Sequence, residues 1–105
     1  MISFEHLAFR VLQWAKPKGL LGEGNALPQY AKTLEEVVEL FEAIAVSKDK
    51  DSIKDAIGDI FVTLIIQAHI QGLDPVECLN SVYEEINKRT GKTVNGVFIK
   101  DDITK

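Results

Sequence analysis

Cys78 is the one cysteine in the 105-residue chain, which leaves no internal disulfide and no cysteine-built zinc site. Nothing therefore points to an oxidising compartment. Proline and glycine are also scarce, at three and seven residues, and no linker, repeat or low-complexity tract divides the sequence. The longest apolar stretch, Ile60 to Ile66, falls far short of the roughly 20 residues that cross a bilayer. Met1 to His6 shows neither the basic flank nor the apolar run of a signal peptide, so a cytoplasmic protein with no membrane partner is expected. Positive charge is in deficit. Twelve bases against sixteen acids give −4, which argues against gripping a nucleic acid polymer through its phosphates. What remains is an ordinary globular composition, 46% hydrophobic and 27% charged. A chain this short forms one domain over residues 1–105 and alone buries only roughly 60–65% of its unfolded surface, so self-association is expected.

Four helical segments are predicted. Ser3 caps the first, whose apolar positions Leu7, Val11 and Trp14 recur at helical spacing until Lys16-Pro17-Lys18-Gly19. Gly19 to Leu27 reads as a loop long enough to lie over something. Pro28 opens the second helix, which runs to about Ser47. The polar joint Lys48–Ser52 leads into a third helix ending at Gly72, and Asp74-Pro75 starts a fourth that ends near Thr90-Gly91. Asn95-Gly96 between apolar β-branched residues predicts a tight hairpin. The class is all-α: a four-helix bundle with a short hairpin-like tail, oligomeric.

The second helix carries a constellation of acids. With Glu35 at 0°, Glu36 falls at about 100°, Glu39 at about 40° and Glu42 at about −20°. Leu34, Val37, Val38, Leu40, Phe41, Ile44 and Ala45 fill the complementary sector. A solvated charged face is the plain alternative, but such a face normally mixes signs, and no lysine lies among these four carboxylates. On the third helix Asp55 and Asp59 share a stripe with Ile66 and Ile70. The rest of that helix is apolar on almost every side, as in a helix buried by its own fold and by a partner chain. Ionised aspartates entering such a region need a cation or a base. Two antiparallel helices would set Glu36 and Glu39 against Asp55 and Asp59. Oxygen ligands without His or Cys suit Mg²⁺ or Mn²⁺, and Mg²⁺ usually completes its shell with water and substrate phosphate.

Glu35-Glu36-Val37-Val38-Glu39 matches EExxE, and Lys54-Asp55-Ala56-Ile57-Gly58-Asp59-Ile60 resembles the ExxD segment that follows it in the MazG-like all-α nucleoside triphosphate pyrophosphohydrolases. The Gly72-Leu73-Asp74 turn and the ending Arg89 to Phe98 resemble the short single-domain bacterial and phage members of that family. One position departs: Ala56 stands where the family has glutamate. The resemblance implies hydrolysis of a (deoxy)nucleoside triphosphate to monophosphate and pyrophosphate, a nucleotide-pool house-cleaning activity. It assigns Glu36, Glu39 and Asp59 as Mg²⁺ ligands in a homodimer or homotetramer. Asp55 is expected to take over the missing ligand role, and Glu35 or Asp55 to orient the attacking water. Alternatives are a phosphoribosyl-ATP pyrophosphatase, against which the Asn-Gly-Val-Phe segment argues, and a non-catalytic helical oligomer that binds nucleotide or protein.

Beyond the acids, Lys32 precedes Glu35 by one turn and, with Lys88, Arg89 and Lys92, is a candidate for substrate phosphates. The plain alternative is that bases at a helix end complement its dipole. Trp14 and Tyr83 are candidates for stacking on a base, with a core role as the alternative for Trp14.

Overall fold

The computed structural model describes residues 1–101. It contains helices α1 (Phe4–Ala15), α2 (Ala26–Glu42), α3 (Lys50–Ile70) and α4 (Pro75–Ile86), followed by strands β1 (Gly91–Val94) and β2 (Val97–Lys100). Local chemistry accounts for most boundaries. The Ser3 hydroxyl accepts the His6 N–H at 3.1 Å, and Asp49 accepts from Ser52 at 3.1 Å. Asp74 accepts the Val76 N–H at 2.9 Å with Pro75 in the first turn. These are side-chain caps on otherwise unpaired helix-start donors. Gly72, at φ 74°, ends α3, and the Leu73 N–H bonds back to the Ala68 carbonyl at 2.8 Å.

Two predicted boundaries shift. The second helix begins at Ala26, not Pro28, because a 3₁₀ turn at Glu23–Asn25 feeds directly into it. Pro28 still falls among the first-turn positions whose N–H has no helical partner. The fourth helix stops at Ile86, one turn before Thr90, where Lys88 and Arg89 bond instead to carbonyls three residues back. At the other end of α2 the chain widens into a π turn, Ala43–Ser47, closed by the Lys48 N–H on the Ala43 carbonyl at 2.8 Å.

α3 is the hub: α1, α2 and α4 all pack on it, α2 most extensively. The small residues Ala8, Ala15, Ala43 and Ala56, with Ile65 and Ile66, are buried. α2 turns to α3 a stripe that includes Glu36, on the side that the antiparallel pairing with Asp59 predicts. Ala26, Gln29, Thr33, Glu36, Leu40 and Ala43, spaced as one helical stripe, are the buried and half-buried residues of α2 and its π turn. The fully apolar sector (Leu34, Val37, Val38, Phe41, Ile44) stays exposed, Phe41 to 65%. That stripe borders the acidic face, so pairing with α3 draws a carboxylate inside and leaves the apolar sector uncovered.

The tail is a two-stranded antiparallel hairpin with Val94 opposite Val97 and Gly91 opposite Lys100. Asn95 at φ 51° and Gly96 at φ 80° give the two left-handed residues that a tight primed turn requires. A Cβ at Gly91 would run into the Ile99 carbonyl and the Phe98 ring, so only glycine lets the strands close there. Among the described residues no single helix is long and apolar enough to cross a membrane.

Candidate functional site

Two side-chain hydrogen bonds clamp α2 to α3 in antiparallel register. Thr33 Oγ1 donates to Thr63 Oγ1 at 2.9 Å, and Gln67 Nε2 donates to the Ala26 carbonyl at 2.8 Å. Three residues after Thr33 comes Glu36, and four before Thr63 comes Asp59, so the clamp faces these carboxylates toward each other. One oxygen each from Glu36, Glu39 and Asp59 lie within 4.8 Å of one another.

Glu36 is the least ordinary of the three, being only 6% exposed. Its Oε2 lies 3.4 Å from Lys32 Nζ, while its Oε1 is buried with no hydrogen-bond partner. A desolvated carboxylate oxygen without a partner is costly and is met in proteins mainly where a cation belongs. The negative charge of Glu36 is the main reason the Glu39 carboxyl titrates above its usual range. Lys32 Nζ also reaches Glu35 Oε1 at 3.2 Å. Its ammonium is held above the ordinary lysine range, first by that bond and then by the bond to Glu36. The acidic face is therefore not free of bases, as the sequence suggested. Lys32 sits one turn upstream, at the i,i+3 and i,i+4 spacings where a base meets two successive acids.

Three carboxylates with no nitrogen or sulfur among them suit a hard divalent cation. The orphaned Glu36 Oε1 is the observation that makes the set fit one. Two cavities meet at Asp59. The larger, about 670 Å³, is bordered by Glu39, Glu42, Ser52, Asp55, Ala56 and the π turn. The other, about 470 Å³, runs from Lys32, Glu36 and Thr63 into an apolar end formed by Trp14, Leu20, Pro28 and Ile66.

The remaining candidates fall into place around these. Asp55 is exposed and borders the larger cavity beside Asp59, outside the three-carboxylate cluster. The neighbouring Ala56 is buried at 5% exposure and meets the same cavity. Glu35 points outward, its side chain 64% exposed. Trp14 is half-exposed at the apolar cavity, with Lys18 Nζ 4.6 Å from its ring centre. Tyr83, Lys88, Arg89 and Lys92 are exposed on α4, the turn after it and β1, and they border neither cavity. The sequence pattern assigned no role to Thr33 or Thr63. The threonines' helical phase, one turn from Glu36 and Asp59, was the available signal.

Compared with protein-family models, residues 27–94 match the MazG nucleotide pyrophosphohydrolase domain. The chain belongs to this MazG family. A relative by sequence is an uncharacterized 18.2 kDa protein from the rep-hol intergenic region of Haemophilus phage HP1, 36% identical over 76 residues. The match covers 72% of this chain and 46% of that protein, so the chain spans about half the length of the relative. No solved structure matches it significantly. The MazG match accounts for the all-α bundle and for nucleotide pyrophosphohydrolysis as the family's activity, and it includes all three clustered carboxylates. MazG enzymes are generally dependent on a divalent metal, in keeping with that cluster.

Proposed function

We propose that this MazG-family chain, as a single domain over residues 1–105, hydrolyses a (deoxy)nucleoside triphosphate to monophosphate and pyrophosphate in the presence of Mg²⁺ or Mn²⁺. The observation that carries this reading is the junction at Asp59, where the carboxylate cluster opens, through Glu36 and Asp59, onto a cavity with an apolar end. A triphosphate and a base need those two environments in that order.

Glu36, Glu39 and Asp59 would hold the cation. When bound, a divalent cation supplies neutralisation of the triphosphate and lowers the pKa of coordinated water. Lys32, already between Glu35 and Glu36, is placed to share its ammonium with phosphate oxygens. Trp14 and the apolar wall beside it shelter the base and offer a stacking face. Asp55, at the cavity beside Asp59, orients the water and takes its proton, whereas Glu35 faces outward and holds Lys32. The water oxygen bonds to the α-phosphorus, the α–β phosphate bond breaks, and pyrophosphate leaves with the bridging oxygen. Positioning and charge neutralisation carry most of the acceleration in such transfers. Tyr83, Lys88, Arg89 and Lys92 have no place in this single-chain site. The exposed apolar sector of α2 supports a homodimer or homotetramer as the working form.

Ala56 favours a second reading. With a methyl group where MazG-like enzymes place glutamate, the chain would bind nucleotide in a helical oligomer without turning it over. Pyrophosphate release from a panel of nucleoside triphosphates, with Mg²⁺ and with excess chelator, separates the two. The enzyme reading expects release that needs the cation, and nucleotide binding without release from any member of the panel would replace it with the second.

A further inference from the structure

The C-terminal hairpin and the groove between α1, α3 and α4 are both apolar, and both lack a partner among the described residues. The β strands pair with each other and lie against none of the four helices to any extent. Val94, Val97 and Ile99 share one face of the ladder, since paired residues and alternate positions point the same way. All three are about half-exposed. An isolated two-stranded hairpin is at best marginally stable in water, so this strip needs cover. The groove is a cavity of about 460 Å³ lined by Phe4, Phe61, Leu64, Cys78, Leu79 and Val82. Its aromatic walls Phe4 and Phe61 are already fixed edge to face, with ring centres 5.8 Å apart.

We propose that the hairpin is an exchanged arm whose Val94–Val97–Ile99 face seats in this groove on a second copy of the chain. Two observations select that occupant. The chain exposes 8246 Å², roughly 2,400 Å² more than a compact monomer of its mass, an excess of the size that an obligate dimer covers. Its radius of gyration, 16.4 Å, likewise exceeds the roughly 13 Å of a compact chain of this length. The second observation is charge. The strands carry Lys92 and Lys100 and no acid, while α4, which forms one wall of the groove, carries Glu77, Glu84 and Glu85 and no base. Such complementarity orients docking and disfavours the wrong partner. A pair of reciprocal arms also closes the assembly, as a two-fold interface must.

The arm rests on the homo-oligomeric reading above, and cross-linking separates the two. Cys78, exposed in the groove and the chain's one cysteine, serves as the natural probe. The unsubstituted chain is co-expressed with a differently tagged chain carrying Cys78→Ser and Ile99→Cys, and the co-purified assembly is treated with a short bismaleimide. The arm predicts a covalent species joining the two different chains in preference to either like pair. A co-purifying assembly without that species overturns the arm while leaving oligomerisation intact. So does an internal link in a chain carrying both Cys78 and Ile99→Cys, which would mean that the hairpin folds back on its own groove. In a second measurement, Val97→Lys with Ile99→Lys is expected to raise the dissociation constant of the assembly at least tenfold at unchanged helicity, and an unchanged constant contradicts the proposal.

Discussion

Thr33 and Thr63 meet hydroxyl to hydroxyl, 2.9 Å apart, across the α2–α3 contact. Thr63 in turn donates to the Ile60 carbonyl at 2.8 Å and is 4% exposed. The pair fixes the register on which the acidic cluster depends, because Glu36 and Asp59 sit one turn away from it at the same end, one on each helix. Thr63→Val keeps the shape and removes the acceptor. The expected result is a loss of about 1–2 kcal/mol in stability by denaturant titration, with divalent-cation affinity weakened several-fold. Unchanged cation affinity would mean that the register is held elsewhere.

Asp55 and Ala56 together locate the place where this chain departs from its family's pattern. Asp55 has no ion pair among the described residues and borders the same cavity as Asp59. Asp55→Asn is expected to lower turnover and weaken its Mg²⁺ dependence together by about tenfold or more, as loss of a ligand or of the group supporting one does. Wild-type kinetics across a Mg²⁺ titration would leave Asp55 only a helix-dipole role, worth at most about 1 kcal/mol of stability. Ala56→Glu projects a carboxylate into that cavity, and raised activity would show that a ligand had been lost at this position.

The helices, their caps and the Asn-Gly turn were legible in the sequence because each rests on local chemistry: a serine or aspartate before a helix, a glycine after one. The clustering of Glu36, Glu39 and Asp59 was legible from phase, since two antiparallel helices bring such stripes together. The depth of Glu36 was not: the Thr33–Thr63 bond and the small residue Ala43 draw its stripe inward and bury Glu36 beside Lys32, while the all-apolar sector stays exposed. The cavity ending at Trp14 depends on how the Gly19–Asn25 loop folds, and that loop is tied by Asn25 Nδ2 donating to the Gly19 carbonyl at 2.9 Å, a bond that no pattern announces.

Acid should act on the cluster through Glu39. Its pKa is raised chiefly by the charge of Glu36. The stability tied to its proton is therefore fully present below the unfolded value of about 4.3 and is lost as pH rises through the folded value. A divalent cation competes with that proton. Cation affinity should begin to fall at a higher pH than an ordinary glutamate would cause. Calorimetric Mn²⁺ titration between about pH 7.5 and pH 5 checks this, and Glu39→Gln should flatten the slope; an equally steep slope in the variant would assign the proton elsewhere.

Assembly is expected in solution because Val37 and Phe41 on α2, Ile44 in the π turn, and Phe61 and Leu64 on α3 stay about half-exposed or more. A patch of that extent marks an interface. Equilibrium sedimentation at micromolar concentration should return at least twice the 11.7 kDa of the chain. A monomeric mass would contradict it.

The carboxylate cluster is the proposed seat of a cation-dependent triphosphate cleavage. Its most direct test measures pyrophosphate and nucleoside monophosphate together, by phosphorus NMR, for the wild-type chain and for Glu39→Gln and Asp59→Asn, with circular dichroism on each. Equal amounts of both products from the wild type, none in excess chelator and none from either variant at unchanged helicity is the predicted result. Turnover that persists in chelator, or in both variants, would contradict it.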